Sequence, residues 1–179
     1  YNALGNNKGA VVVLEPSTGK ILAMVSKPSF DANTVSENWD NLINDKNSVL
    51  VNRATQGQYT PGSVFKLVTT LSFMRQNADY EAYLNDCSGE MTVDGTTIHC
   101  YANQAHGQET LADAVANSCN TAFSGIGLQL DISKWQDTAK DLLFNTKLKC
   151  DLVSNQSSFS LDKSADSASV MMTAIGQGD

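Results

Sequence analysis

Ser63 and Lys66 are the pair of residues whose types and spacing first suggest chemistry. In a helix, side chains three positions apart lie on the same face, so the hydroxyl and the amine would be neighbours. Lys66 is the only charged residue between Ser63 and Met74, and a lysine in so apolar a helix must reach the surface, pair with another group or lose its proton. A hydroxyl beside a neutral amine is an activated nucleophile. The alternative is a structural serine at a helix start with a lysine that reaches solvent, and the S-x-x-K motif taken alone favours that alternative.

The stretch around this pair predicts a central helix over residues 62–77. Apolar residues recur at helical spacing, and Phe65 and Phe73 make further faces apolar, so we expect the helix to be largely buried. Pro61-Gly62 is a turn signal immediately before it. Ser63 is therefore expected in the first helical turn, where backbone N–H groups are unpaired and the helix dipole favours negative charge. The recurring apolar positions are Val64, Leu67, Val68, Leu71 and Met74.

A second candidate group, Ser118 and Asn120 on either side of Cys119, follows a predicted helix over residues 111–117. Residues two apart in an extended turn face the same side, so both polar side chains can meet one partner. The alternative is a helix stop followed by an asparagine N-cap, and this segment taken alone favours it. Cys119 is predicted to be a small buried residue and not a nucleophile. No histidine is placed to serve Ser63, which disfavours a Ser-His-Asp hydrolase.

The composition limits the functions that are open to the chain. It has 179 residues, of which 41% are hydrophobic, enough for one domain with a real core or for a large piece of a bigger domain. The formal net charge is -7, and because no basic patch is available, nucleic acid is disfavoured as a partner. No apolar run is long enough to span a membrane. The cysteines form no C-x-x-C pair, which disfavours a zinc ribbon.

The rest of the chain alternates strand and helix signals. A run rich in β-branched residues predicts a buried strand. A turn and a second apolar run follow it, so the two runs together predict an antiparallel hairpin over residues 9–26. Asp94-Gly95 between β-forming residues predicts a second hairpin over 91–98. Residues 78–86 are weakly patterned, and residues 147–165, which include Cys150, are interpreted as a surface loop. Further helices are predicted over 121–130, from 131 onward and over 168–175. Thr110 and Asp113 form a predicted capping pair at the start of the helix over 111–117.

Cys87 and Cys100 flank the second hairpin and leave two alternatives open. Counting outward from the turn places Cys100 opposite Gly89, and a bulge at Gly89 would bring Cys87 close enough for a disulfide in an oxidising compartment. The rival is a metal site, which is disfavoured because its spacing matches no standard metal-binding pattern. Its candidate ligands are Cys87, His99, Cys100 and His106.

The two polar motifs stand in an order and a context that resemble a known family. Ser63-Val64-Phe65-Lys66 follows Arg53-Ala54-Thr55-Gln56-Gly57, and Thr121-Ala122-Phe123 follows Ser118-Cys119-Asn120. Together with the opening hairpin and the final Ala174-Ile175-Gly176-Gln177-Gly178-Asp179, they are similar to the S-x-x-K and S-x-N regions of the transpeptidase domain of penicillin-binding proteins. The chain most resembles the monofunctional class B enzymes, and the resemblance covers nearly all of it.

The resemblance implies an α+β fold of the penicillin-binding protein and serine β-lactamase type. In that fold an antiparallel sheet packs with helices around the buried S-x-x-K helix. Residues 1–179 would be the N-terminal portion of the transpeptidase domain, with its first β-hairpin at 9–26, its central helix at 62–77 and a helical subdomain at 110–144.

The resemblance also implies a D,D-transpeptidase that cross-links peptidoglycan. Ser63 would attack the carbonyl between two D-Ala residues of a stem peptide, and an amine of a neighbouring stem would then take the acyl group. Lys66 would be the base, Ser118 would relay a proton towards the leaving group, and Asn120 would orient Lys66 and bind the substrate amide. A β-lactam antibiotic would leave a long-lived acyl-enzyme. The family uses no cofactor or metal for this step and works at the extracytoplasmic face of the bacterial plasma membrane, through an anchor placed upstream.

One departure from the family pattern is the absence of a K-T-G or K-S-G motif. The nearest match, Lys163-Ser164-Ala165, lacks the glycine and precedes Gly176. We therefore expect the chain to stop before the strand that supplies a cation, a hydroxyl and one oxyanion-hole N–H, the other being that of Ser63. Penicillin acylation is expected to be weak or absent unless a second chain or a swapped partner supplies that strand. Two alternatives remain: a β-lactam-hydrolysing or β-lactam-sensing relative, and a non-catalytic cell-wall binding or scaffold module.

Overall fold

The computed structural model describes residues 1–149 and 151–178, and the chain divides into two compact units. The first unit comprises Tyr1–Tyr59 and Lys147–Gln156, and the second comprises Thr60–Thr146 and Ser157–Asp179. Cys150, which the sequence places in a surface loop, lies outside the described residues.

Short strands and helices alternate along the described residues. The strands are β1 Gly9–Glu15, β2 Lys20–Lys27, β3 Leu84–Cys87, β4 Glu90–Val93, β5 Thr96–His99 and β6 Gly107–Thr110. The α-helices are α1 Val35–Ile43, α2 Lys66–Gln76, α3 Leu111–Ala116, α4 Asn120–Gly127, α5 Ile132–Asp141 and α6 Ser167–Ala174.

β1 and β2 form an antiparallel hairpin in the first unit, as the sequence predicts, with one register shift between Val13 and Leu14. The prediction that its first strand is buried is wrong. β-Branched residues gave the strand its pattern, but burial requires a covering layer, and apolar side chains on both faces of the hairpin stay exposed. These exposed residues are Val11, Val12, Val13, Leu14, Ile21 and Leu22.

The second unit holds two further strand pairs. β4 and β5 form the hairpin predicted around Asp94-Gly95. The Cys100 N–H donates to the Gly89 carbonyl at 2.8 Å, which confirms the predicted register. β3 pairs with β6, and the sequence predicts neither strand, because both are short, largely polar segments whose pairing is set by distant parts of the chain.

The central helix begins later than predicted. Residues Gly62–Phe65 form a 3-10 helix, and the α-helix α2 runs from Lys66 to Gln76. Ser63 therefore lies in a 3-10 turn and not in the first turn of an α-helix. The i+3 bonding of such a turn is tighter than that of an α-helix and is common at helix N-termini.

This helix is also buried on one face only, although the sequence predicts that most of it is covered. Phe65, Val68 and Phe73 are buried, where α2 contacts α4 and α5. Val64 and Leu67 are 70% and 60% exposed. Apolar periodicity identifies which side chains are apolar, but it does not identify which apolar face meets a neighbour.

Phe65 connects this helix to an aromatic cluster in the core of the second unit. Its ring stacks on Phe159 with centroids 5.6 Å apart and meets Phe144 edge-on at 5.8 Å. Trp135 of α5 lies 6.3 Å from the same ring and is fully buried. The residue before Lys66 is therefore fixed by packing.

The other helix predictions hold with small shifts. Thr110 and Asp113 form the predicted capping box of α3, α5 begins behind the N-cap Asp131, and α4 begins at Asn120, one residue before its prediction. Residues 147–149 and 151–165 carry no helix or strand. Over the described parts of the chain, no helix has the length and apolar character needed to cross a membrane.

Candidate active site

Lys66 is the centre of a hydrogen-bonded polar cluster within the second unit. Its Nζ lies 2.6 Å from the Ser118 carbonyl oxygen and 2.9 Å from Ser118 Oγ. It lies 2.6 Å from Asn120 Oδ1 and 3.4 Å from Ser63 Oγ. The four residues that the sequence singles out therefore meet at one nitrogen, which is buried with a side chain only 3% exposed.

The surroundings of Lys66 lower the pKa of its amine. Burial is the dominant cause, since a charged amine loses hydration there. The thiols of Cys119 and Cys100 oppose this effect, and the pKa falls from 10.5 to about 8. The amine can therefore donate hydrogen bonds to Ser118 and Asn120 when charged, and a useful fraction is neutral near pH 8.

The Ser63 turn is braced from the end of α6. The Gly62 N–H donates to the Gly176 carbonyl at 2.9 Å. A Cβ atom at Gly176 would lie 2.0 Å from the Gly62 carbonyl oxygen, and its φ is +74°. Only glycine permits this approach and this backbone conformation. The sequence analysis includes Gly176 in the family-like segment that ends the chain but does not predict its positioning contribution to the Ser63 turn.

The segment Ser118-Cys119-Asn120 presents its side chains to two sides. Ser118 has φ +51°, and Cys119 is extended and serves as the N-cap of α4. The structural alternative, an asparagine N-cap, is therefore wrong by one residue, because the N-cap is Cys119. Ser118 and Asn120 reach Lys66, whereas the Cys119 side chain is fully buried. Asn120 Nδ2 also donates to the His99 carbonyl at 2.8 Å, which fixes the amide orientation.

Behind this segment, the buried Cys119 meets other sulfur and imidazole groups. Cys87, Cys100 and Cys119 are free thiols. Cys100 Sγ lies 3.7 Å from Cys87 Sγ and 3.8 Å from Cys119 Sγ. His106 Nδ1 lies 3.4 Å from Cys87 Sγ. These groups could hold a metal ion.

The membership of this cluster differs from the metal site considered from sequence. His99 is exposed and its Nδ1 faces the Glu90 carboxylate at 3.2 Å. Cys119 takes the place of His99 as the fourth member of the cluster. In a strand, alternate side chains point to opposite sides, so His99 at the end of β5 points away from the side that Cys100 shares. No short spacing in the sequence links Cys119 to the other thiols.

A serine hydroxyl beside a buried lysine that a second serine and an amide hold in place is the arrangement expected of an activated nucleophile in an S-x-x-K motif. Residues 9–179 match the family model described as "Penicillin binding protein transpeptidase domain". The chain belongs to this family.

Curated and solved relatives agree with the family. The chain is 35% identical over 187 residues to a protein of Mycolicibacterium smegmatis named peptidoglycan D,D-transpeptidase PbpA, covering 98% of this chain and 38% of the relative. It is similar to penicillin-binding protein A of M. tuberculosis in a ceftriaxone acyl-enzyme complex, with a TM-score of 0.86, 33% identity and coverage of 96% and 41%. The D,D-transpeptidase domain of a peptidoglycan glycosyltransferase from Eggerthella lenta gives a TM-score of 0.86 at 30% identity, with coverage of 98% and 43%.

These matches confirm the expected fold class, the α+β fold of penicillin-binding transpeptidase domains. The chain spans about two fifths of the length of the relatives it matches.

Proposed function

We propose that this protein is a peptidoglycan D,D-transpeptidase that works through an acyl-serine intermediate on Ser63. The observation that carries the proposal is the convergence of Ser63, Ser118 and Asn120 on the buried amine of Lys66. The relatives named above as D,D-transpeptidases support the reaction class.

In the proposed reaction, Ser63 Oγ attacks the carbonyl carbon between the two D-Ala residues of a stem peptide. Neutral Lys66 accepts the hydroxyl proton as the new C–O bond forms. The C–N bond then breaks, the proton reaches the departing amine, and the terminal D-Ala leaves. The amine of a neighbouring stem then attacks the ester carbonyl and gives up a proton to Lys66 as the new C–N bond forms. The C–O bond to Ser63 breaks, Lys66 returns the proton to Ser63 Oγ, and the two stems are joined.

The remaining groups have positioning and proton-transfer roles in this proposal. Ser118 Oγ, 2.9 Å from Lys66 Nζ, relays the proton from the lysine to the leaving amine. Asn120 Oδ1 holds the amine in place. Because the Ser63 side chain is exposed, an incoming acyl donor can reach the hydroxyl while the lysine stays buried behind it.

β-Lactam antibiotics are the second ligand class of the proposed site. A β-lactam carbonyl would acylate Ser63 as a stem peptide does, but its leaving group stays attached and the acyl-enzyme persists. The M. tuberculosis relative described as a ceftriaxone acyl-enzyme complex supports this ligand class. Peptidoglycan substrates place the proposed site of action at the extracytoplasmic face of the bacterial plasma membrane, with a membrane anchor as part of the complete protein.

Full activity in this proposal requires a strand that carries K-T-G. The sequence holds no such motif. An oxyanion donor is worth roughly 3–4 kcal/mol in a hydrolase, so its absence would slow acylation strongly. The hairpin of the first unit exposes apolar side chains, and so does the helix face of the second unit that carries Val64 and Leu67. These exposed apolar surfaces support the proposal that a further protein segment packs against the chain. Further chain of the same protein, a second chain or a swapped partner would supply the strand.

Fluorescent penicillin labelling of the natural gene product tests the proposal. Labelling of the wild type and its loss in Ser63→Ala, by at least about a thousandfold in rate, is the expected result. Ser133→Ala, at the start of α5 and not among the hydrogen-bond partners found for Lys66 Nζ in the described residues, is the matched control and should label as the wild type does.

The lifetime and location of the label separate the alternatives. A persistent adduct supports a transpeptidase, and rapid deacylation would favour a β-lactam-hydrolysing relative. A persistent adduct without cross-linking of a donor and acceptor stem peptide would favour a sensor. A wild type that carries K-T-G and takes no label would favour a scaffold, and labelling that survives Ser63→Ala would contradict the nucleophile assignment.

A further inference from the structure

Four buried or nearly buried donor groups form a compact cluster on the far side of Ser118-Cys119-Asn120 from Lys66. We call this the thiol cluster, and its members are Cys87, Cys100, His106 and Cys119. One ligand atom from each lies within 4.8 Å of all the others. The three cysteines are at most 3% exposed, and the side chain of His106 is 9% exposed.

The spacing of the cluster matches a tetrahedral zinc site. Bonds of 2.3 Å to sulfur and 2.0–2.1 Å to nitrogen at tetrahedral angles separate two sulfurs by about 3.8 Å and a sulfur from a nitrogen by about 3.5 Å. Two of the three sulfur pairs are 3.7 Å and 3.8 Å apart, and Cys87 Sγ lies 3.4 Å from His106 Nδ1. The remaining pairs of ligand atoms lie within 4.8 Å, so side-chain movements of about 1 Å bring all four to bonding positions.

The backbone holds the ligands in place. Cys87 ends β3 opposite Gly107 of β6, which sets the distance to His106. The Cys100 N–H donates to the Gly89 carbonyl at 2.8 Å, and the Cys119 N–H donates to the Ala114 carbonyl at 2.9 Å. These bonds belong to strand ends and to a helix cap, so the donor groups are preorganised.

Glu109 provides an independent observation. Its side chain is 1% exposed, and no hydrogen-bond partner for its Oε2 lies among the residues that the structure describes. Its Oε1 accepts from Asn117 Nδ2 at 2.9 Å and lies 3.7 Å from His106 Nδ1. This is the same imidazole nitrogen that faces Cys87 Sγ, so the carboxylate lies at the thiol cluster itself. A buried carboxylate with an unpaired oxygen is costly. Beside the spacing of the donor atoms, it is a second sign that the described residues alone do not complete the cluster.

We propose that the thiol cluster binds one zinc ion through the sulfurs of Cys87, Cys100 and Cys119 and the imidazole of His106. Three thiols and one imidazole are a donor set that selects zinc over hard cations such as magnesium or calcium. Binding replaces the thiol protons, which leave to solvent, and forms three Zn–S bonds and one Zn–N bond. A disulfide between Cys87 and Cys100 would use only two of the four donor groups and would not account for the approach of Cys119 and His106 to them.

The metal would also position the candidate active site, an extension that rests on the proposed function. Cys119 is flanked by the two residues that hold Lys66. A bond from its sulfur to zinc anchors the middle of that segment, and the ion thereby ties β3, the end of β5 and the start of α4 together. Cys119 is thus a positioning residue.

Metal analysis of the purified protein tests the zinc site. After reduction and removal of metal with a chelator, the wild type should bind about one equivalent of zinc from zinc chloride, measured by competition with a chromophoric chelator. Cobalt(II) in place of zinc should give thiolate charge-transfer absorption and the intense visible bands of a tetrahedral ion. Both measurements use the wild type, so they do not depend on whether a variant folds.

Three variants sharpen the test. Cys100→Ser should weaken zinc binding by well over tenfold, and Glu109→Gln, which keeps the side-chain shape, should weaken it by about 10–100-fold. His99→Ala, adjacent in sequence but outside the cluster, should bind zinc as the wild type does. Reduced wild type that binds no zinc, a cobalt complex without thiolate bands, or a Cys87–Cys100 disulfide in the native protein would each overturn the proposal.

The test of the zinc site and the test of the proposed transpeptidase function can fail independently. Ser63→Ala should lose penicillin labelling and keep its zinc. Zinc binding without any labelling would leave the metal site standing and contradict the transpeptidase, whereas labelling without zinc would contradict the metal site alone.

Discussion

The two sides of Ser118-Cys119-Asn120 differ in how their polar groups are satisfied. On one side, the buried amine of Lys66 donates to Ser118 and Asn120. On the other, three thiols and an imidazole lie together beside a carboxylate oxygen that has no hydrogen-bond partner among the described residues. The amine of Lys66 therefore finds its hydrogen-bond acceptors within the chain, whereas the thiol side has the geometry of a site that needs a ligand. One short segment supports both.

Removal of the Lys66 amine breaks the first side of this comparison and should have the largest effect. Lys66→Met keeps the length of the side chain but has no base, and we expect acylation by penicillin to slow by about 10²–10⁴-fold. The measurement is the second-order rate constant of fluorescent-penicillin labelling. Zinc binding should be unchanged. Lys134→Met, on α5 at an exposed position, is the control, and equal rates for the two variants would contradict the assignment of Lys66 as base.

The brace at Gly176 tests whether the Ser63 turn depends on packing from α6. Gly176→Ala would place a methyl group 2.0 Å from the Gly62 carbonyl oxygen, so we expect the free energy of unfolding to fall by about 2–4 kcal/mol. Gly125→Ala is the matched control, because a Cβ there meets nothing within 4 Å. It should raise stability by about 0.5–1 kcal/mol. Urea denaturation measures both, and a Gly176→Ala protein as stable as the wild type would show that the turn adjusts freely.

Asn120→Ala keeps the Lys66 amine but removes a group that orients it, so the variant measures how much the orientation of Lys66 contributes to acylation. The variant loses the acceptor for the amine and the bond from Nδ2 to the His99 carbonyl. The amine is neutral in the active form, and each of the two lost bonds is worth about 0.5–1.5 kcal/mol between neutral groups, so acylation should slow by roughly 10–100-fold. Gln129→Ala, on an exposed turn, is the control. An Asn120→Ala rate equal to that of the wild type would mean that Ser118 alone positions the amine.

The pH dependence of acylation should report the lowered pKa of Lys66. The active form is the neutral amine, and burial lowers its pKa from 10.5 to about 8. The neutral fraction, and with it the acylation rate, should therefore rise about tenfold between pH 7 and pH 9. Stopped-flow acylation over this range provides the measurement. A rate that is flat or that falls with rising pH would contradict lysine as the base.

The sequence predicts that Ser63 and Lys66 lie together because the two residues are close along the chain. Ser63 and Lys66 are three apart, and that spacing brings them together in a 3-10 turn as well as in an α-helix. The meeting of Ser118 and Asn120 with Lys66 joins distant parts of the chain, and only the family resemblance linked them.

The thiol side is not predictable in the same way, because its members come from a strand end, a loop and a helix cap. Cys119 was identified as a buried residue, which the structure confirms, but its neighbours depend on the β3–β6 pairing. That pairing has no local apolar pattern to reveal it. The brace from Gly176 is a backbone contact, and no side-chain pattern encodes it.

The most direct test of the central assignment is to locate the penicillin adduct by mass spectrometry. The natural gene product is incubated with penicillin G, digested, and its peptides are mapped. We expect a single acyl adduct on Ser63, which is absent from Ser63→Ala and strongly reduced in Lys66→Met. An adduct on Ser118 or on a cysteine, or no adduct in a protein that contains the K-T-G strand, would contradict it.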